Sequence, residues 1–321
     1  MSVFGNIARL IQDPPPEFVF ELSEAGIAYA RGGQTDFEPL APGVLTPSPV
    51  DDNLPYPERA AEVLEKIAMQ HGGGPGSKRG ATGAAGTKAP GKTKPRRAAV
   101  VLPDHAARVS VLDFDSFPAN AGEQLALVRF RVKKTVPFDI DSAAVSYFPQ
   151  PVEGAGKKVE VVTVTVALEV LARYEALFRS AGYHPGEITT SGLAALNLYP
   201  QASGSDDAPG VLAKLAGRVL TVMVIAGGRL RLFRCLALDE ASEEEIRGVL
   251  HPTLAYAEDE LGARVARVAV CGFSLAPFSN VSSNVPGNVL GDMPVEPLQS
   301  RWGAASAFNA GLLGYLQGSS N

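Results

Sequence analysis

The sequence predicts a mixed α/β protein built from more than one subdomain. Three observations carry that prediction. Val211–Arg234 reads as three short apolar strands joined by glycine turns at Gly217 and Gly227-Gly228. Phe18–Arg31 repeats the strand-turn-strand pattern, with Glu21-Leu22-Ser23 in the place that Lys214-Leu215-Ala216 holds later. Residues 104–182 run strand, helix, strand, strand, helix, which is the order of a compact α+β module.

A chain of 321 residues can bury a large core. Its hydrophobic fraction of 45% and charged fraction of 20% are those of an ordinary globular protein. The net charge is −5, and residues 71–97 hold seven Lys/Arg and no acid, which leaves −12 on the rest. Folded parts that acidic argue against nucleic acid as a partner. Cys235 and Cys271 sit in apolar runs and read as buried reduced thiols, too few for a disulfide scaffold or a thiolate zinc site. No apolar run reaches the roughly 18 residues of a membrane span, and the start lacks a signal peptide's pattern, so a cytoplasmic protein is expected.

Along the chain, Val3, Phe4, Ile7, Leu10 and Ile11 share a helical face ended by Pro14-Pro15-Pro16. The hairpin Phe18–Leu22 and Gly26–Arg31 follows. Residues 32–57 read as a Pro/Gly-rich loop, and Glu58–Gln70 as a helix with Ala60, Val63, Leu64 and Ile67 inward. Residues 71–97 contain no large apolar side chain and are expected to be a flexible basic loop. Within it, Gly86 through Gly91-Lys92-Thr93 fits the P-loop expression, but neither a strand nor a helix flanks it to fix the amides around a phosphate.

Ala98–Leu102 and Arg108–Phe114 read as strands. Asn120 with Glu123 starts a helix running to about Lys133. Ala143–Phe148 and Val159–Val166 are strands, and Leu168–Ala181 is an amphipathic helix. Glu187–Leu198 holds a strand and a short helix. Ser242 with Glu245 caps a helix to about Leu261, which Pro252 should kink or divide. Val265–Cys271 is a strand, 274–300 a loop, and Trp302–Leu316 a closing helix of small residues.

Several stretches in this order resemble the PilM family of type IV pilus assembly proteins, relatives of the actin-like cell-division protein FtsA. They are Ala98-Ala99-Val100-Val101-Leu102-Pro103, Lys133-Lys134-Thr135-Val136-Pro137-Phe138, Leu177 through Pro185, and Gly228 through Arg234. The resemblance spans Phe18 to Leu316. It implies an actin-like (ribonuclease H-like) fold of two halves. The first half comprises residues 1–103, the inserted module 104–182, and the rest of the core 183–321.

In that fold an Asp-x-Gly turn in each half grips phosphate and Mg²⁺, and a Gly-Gly turn contacts the nucleoside. This chain has Glu21 and Ser23 at the first turn, Lys214 and Ala216 at the second, and Gly272 followed by Phe273 at the third. An ammonium cannot ligate Mg²⁺, which needs hard oxygen donors. A Cβ at a phosphate turn hinders close backbone approach. The expectation is a pseudo-ATPase with a degenerate cleft, in which Lys214 pairs with Glu21, and no bound cofactor, neither ATP nor Mg²⁺.

The resemblance further implies a scaffold at the inner face of a type IV pilus or related secretion machine, peripheral to the inner membrane through its partners. The implied partners are the cytoplasmic tail of a PilN-like inner-membrane protein and a pilus assembly ATPase. The module is the expected docking surface, around Phe130, Val132, Pro137 and Phe138. The alternative is an active actin-like ATPase drawing on Asp104, Asp113, Asp115, Asp139 or Asp141. These carboxylates fall in the module, away from the glycine turns. The four histidines show no metal-ligand spacing, and no nucleophile elbow is present.

Overall fold

A computed structural model describes residues 15–71, 95–150, 158–199, 208–273 and 294–319. The apolar segment 3–11, the P-loop-like tract at 86–93 and most of 274–300 lie outside these residues.

Two five-stranded sheets share one topology. In the first, β1 (Phe18–Ser23), β2 (Gly26–Arg31) and β3 (Gln34–Pro39) form an antiparallel meander. Strands β4 (Arg96–Leu102) and β8 (Tyr183–Thr190) extend it parallel to β1, in the order β3-β2-β1-β4-β8. The second sheet repeats this as β11-β10-β9-β12-β13, with β9 (Gly210–Ala216), β10 (Val219–Ala226), β11 (Arg229–Ala237), β12 (Arg267–Cys271) and β13 (Val295–Pro297). This duplicated order is the actin-like architecture.

The same glycine chemistry turns both meanders. Gly32 and Gly33 (φ +57° and +82°) join β2 to β3, and Gly227 and Gly228 (φ +57° and +66°) join β10 to β11. Two successive positive φ values match the twist of a tight hairpin. Strand β3 contradicts the loop expected over 32–57. It is an exposed polar edge strand, so no apolar alternation marks it.

Period two assigns the faces of the first sheet. Phe18, Phe20 and Leu22 of β1 pack under helices α1 (Pro57–Gln70) and α3 (Leu168–Ser180). Val19 faces the opposite layer, made by the short helix α4 (Ser191–Ala195) and the last helix α6 (Ala310–Gly318). In the second half, Val211 and Ala213 of β9 face helix α5 (Glu243–Glu260), while Leu212 turns toward the first half. Helix α5 carries the expected Ser242/Glu245 capping box and runs through Pro252 as one span.

The inserted module is a three-stranded antiparallel sheet, β5 (Arg108–Phe114), β7 (Val159–Ala167) and β6 (Ala143–Pro149), in the order β5-β7-β6. Helix α2 (Ala121–Val132) covers one face through Val128 and Val132. The other face packs Val109, Val111 and Val162 against Leu230 and Phe233 of β11.

The side chain of Gln150 fastens this contact. Its amide donates to Leu230 O at 2.8 Å and accepts from Leu230 N at 2.8 Å, serving the outer edge of β11 as a partner strand would. Helix α3, grouped with the module in the sequence, belongs instead to the first half. Its Val170, Tyr174, Leu177 and Phe178 join the first core, and Tyr174 donates to buried Asn53 at 2.9 Å. The closing helix is also shorter than expected, because residues 299–304 form a small hairpin before it.

Candidate functional site

The first turns of the two sheets meet across a cleft. Glu21 lies two residues before the end of β1, and Lys214 two residues before the end of β9. Each shares its face with the apolar residue two positions earlier, Val19 and Leu212, so both point between the halves. Both are buried, at 1% and 3% exposure. They occupy equivalent places in the repeated topology and carry opposite charges.

Lys214 does not pair with Glu21 as the sequence suggested. Its Nζ lies 3.0 Å from Oδ2 of Asp104, itself 2% exposed, and no ion pair joins Lys214 to Glu21. Asp104 follows β4 in a single 3₁₀ turn after Pro103, at the carboxyl end of a parallel strand. It is thus the centre of the cleft rather than part of the module. Thr221 on β10 donates to the same Oδ2 at 2.9 Å, and Gly192 N donates to Oδ1 at 2.5 Å. Asp104 of the first half is therefore tied to Lys214 and Thr221 of the second.

Glu21 is held separately. Ser191 donates its hydroxyl to Oε1, and Leu312 N donates to Oε2 at 2.7 Å. The second donor is an amide of the first turn of α6, which has no partner within its helix. Helix α6 reaches this position because its glycines allow contact with α4. A Cβ on Gly311 would come within 2.7 Å of Ser191 Cα, and one on Gly314 within 2.1 Å of Ala194 O.

Burial pushes the Glu21 carboxyl above its ordinary value, against the pull of Lys214 and of the two hydrogen bonds. Burial pulls Lys214 down, but the charges of Asp104 and Glu21 outweigh it and the ammonium is held above its ordinary value. The cluster therefore keeps a fixed internal cation next to carboxylates whose oxygens are already hydrogen-bonded. The space left between Glu21, Asp104, Ser191 and Lys214 is about 30 Å³. Past Phe308, which lines both spaces, a more open pocket of about 410 Å³ is lined by Leu215, Gly217, Gly272 and Phe273. Ligand pockets run roughly 300–1,000 Å³.

The other sequence-predicted positions do different work. The hydroxyl of Ser23 donates to Gly26 O at 2.9 Å and accepts from Gly26 N at 3.2 Å, closing the β1–β2 turn. Ala216 lines the cavity. Gly272 has φ +80°, and a Cβ there would meet Leu215 O at 2.0 Å, so the residue is required by its own fold. Phe273 packs beside the second core. Of the four expected docking residues, Val132 is 1% exposed and belongs to the core, where Phe138 also packs, whereas Phe130 stands 73% exposed and Pro137 is exposed.

Asp104, Ser191, Thr221 and Leu312 were missed as members of the cleft. Asp104 alone had a usable signal: in open sheets with parallel strands, binding residues gather at the strands' carboxyl ends. No helix among the described residues is long and apolar enough to cross a membrane.

No family model matches the sequence, and a search of curated proteins finds no match. Among solved structures, the chain is similar to one in a PilM-PilN type IV pilus biogenesis complex, with a TM-score of 0.70 at 14% identity, covering 95% of this chain and 99% of the other. It is also similar to the cytoplasmic domain of EpsL, an inner membrane component of the type II secretion system of Vibrio cholerae, with a TM-score of 0.52 at 11% identity over 95% and 94% of the two chains. At such identities the likeness establishes the fold, and it is the fold that the sequence resemblance implied.

Proposed function

We propose that this chain is a scaffold of a type IV pilus or related secretion machine, in which the cleft of an actin-like fold is filled by the protein's own charges and not by a nucleotide. The observation that carries this reading is the buried bond of Lys214 to Asp104. A tethered ammonium is bonded to Asp104, whose same oxygen accepts from Thr221, and feels the charge of Glu21, where an ATPase would need a hydrated cation and phosphate. Entry of Mg-ATP would require expelling that ammonium and leaving Asp104 buried without its partner. The reading predicts no ATPase activity.

The partner in this reading is the cytoplasmic tail of a PilN-like inner-membrane protein, which would place the chain at the cytoplasmic face of that membrane; a pilus assembly ATPase is a second candidate. Strand β6 offers the docking edge. Among the described residues it pairs with β7 on one side and with no strand on the other. Register sets Ala143 opposite Ala167, so Leu168 emerges beside the start of β6. Phe148 and Leu168 are 63% and 48% exposed. An extended peptide can add to such an edge through main-chain hydrogen bonds, with exposed apolar side chains setting its register.

A thermal melt with and without Mg-ATP tests the cleft. A site filled at about 100 times its Kd would add roughly 2.7 kcal/mol. At roughly 2–4 °C per kcal/mol, that is several degrees. No shift is expected. A clear shift would overturn the filled-cleft reading and restore a nucleotide-dependent switch.

A further inference from the structure

Among the described residues, the outer face of α2 carries the most exposed aromatic side chain, Phe130 at 73%, with cations beside it. The inner face of the helix, Leu127, Val128 and Val132, packs on the module sheet, whose opposite face meets β11. The outward residues Ala126, Phe130, Lys133 and Lys134 therefore point away from both halves. Spacings of four and three put Ala126, Phe130 and the capping residue Lys133 in one row, and Lys134 follows in the turn beyond the helix.

The run Arg129-Phe130-Arg131-Val132-Lys133-Lys134 holds four cations in a chain whose net charge is −5. Arg129 is committed to Ile140 O at 2.5 Å and Ala143 O at 3.5 Å. The guanidinium of Arg131 lies 5.1 Å from the Phe114 ring centre, with its side chain at the surface. Lys133 and Lys134 are exposed, and among the described residues neither makes an ion pair. The nearest acids in sequence are Asp139, beyond the following turn, which accepts from Asp141 N at 3.2 Å, and the exposed Glu123 in the first turn of α2, two turns before Phe130.

We propose that this face rests on an anionic lipid surface, with Phe130 at headgroup depth and Arg131, Lys133 and Lys134 against the phosphates. An exposed ring flanked by cations on the outward face of a helix matches the interfacial pattern of peripheral proteins. The inference stands apart from peptide docking at β6, although a membrane-anchored partner at that strand would bring α2 to the same surface.

The test is co-sedimentation of the full chain with vesicles of phosphatidylcholine containing 40% phosphatidylglycerol, and with phosphatidylcholine alone. Binding is expected only to the anionic vesicles and should weaken at high salt. K133Q/K134Q should reduce it about 30-fold, at roughly fivefold per lost charge. F130S should reduce it several-fold, with the melting temperature unchanged in both variants. Failure of the wild-type chain to sediment would overturn the proposal. So would variants that bind like wild type, which would move the contact to the basic stretch 71–97. Because no partner is present in the vesicle assay, its outcome leaves the β6 reading untouched.

Discussion

The two halves of this protein share one topology and differ at its most sensitive point. At the equivalent position of the first strand, one half has Glu21 and the other Lys214. The first carboxylate is absorbed locally, by the Ser191 hydroxyl and the start of α6. The lysine reaches across the cleft to Asp104. Equivalent positions of the repeat thus carry complementary charges. The cores differ too. The first is built on the aromatic cluster of Phe18, Phe20, Phe178 and Tyr183, while the second is nearly all aliphatic.

The sharpest way to break this comparison is to remove the cation. Lys214→Met leaves Asp104 buried and uncompensated, and should cost about 3–5 kcal/mol in denaturant unfolding. Adding Asp104→Asn should recover much of that loss. If the single variant is as stable as the parent, the bridge between the halves contributes nothing.

The next effect concerns the inserted module, which among the described residues has no counterpart in the second half. Gln150→Ala strips the buried edge of β11 of its two hydrogen bonds and should cost about 1–3 kcal/mol. A melt equal to wild type would mean that water replaces the amide.

At β6, Phe148→Ser with Leu168→Ser should weaken binding of a PilN-like tail peptide by about tenfold, or 1.4 kcal/mol, measured by calorimetry. Unchanged affinity would move the docking site elsewhere.

The smallest effect separates the two strand-end charges by pH. The folded carboxyl of Glu21 is held above its ordinary value of 4.5, so the native state keeps a proton that the unfolded chain has released. Its contribution to stability therefore falls as pH rises from about that ordinary value through the folded one. Glu21→Gln should flatten this decline in melting temperature between pH 4.5 and 8. Parallel curves for wild type and variant would show that Glu21 titrates normally.

Much of the architecture was legible in the sequence, because apolar periodicity and glycine turns are local signals. The strands around Gly217 and Gly227-Gly228 and the amphipathic α3 stood out for that reason. Strand β3 was not legible from Gln34-Thr35-Asp36-Phe37, since an edge strand exposed on both faces has no alternation to show. The Gly32-Gly33 pair was the available clue, being the counterpart of Gly227-Gly228. In the cleft, Glu21 and Lys214 were visible as departures from a pattern. Their partners were not, because Ser191 and Leu312 lie 170 and 291 residues from Glu21. Contacts that distant leave no trace in a window of neighbouring residues.

The amide of Gln150 gives the molecule a mechanical character. It stitches the end of β6 to the rim of the second sheet, and Asp104, at the root of the same insertion, is bonded to Lys214 in that sheet. A tug applied to the module by something held in a membrane would thus enter the second half at two separate anchors. Load on the module would be shared between a main-chain-like pair of hydrogen bonds and a buried ion pair.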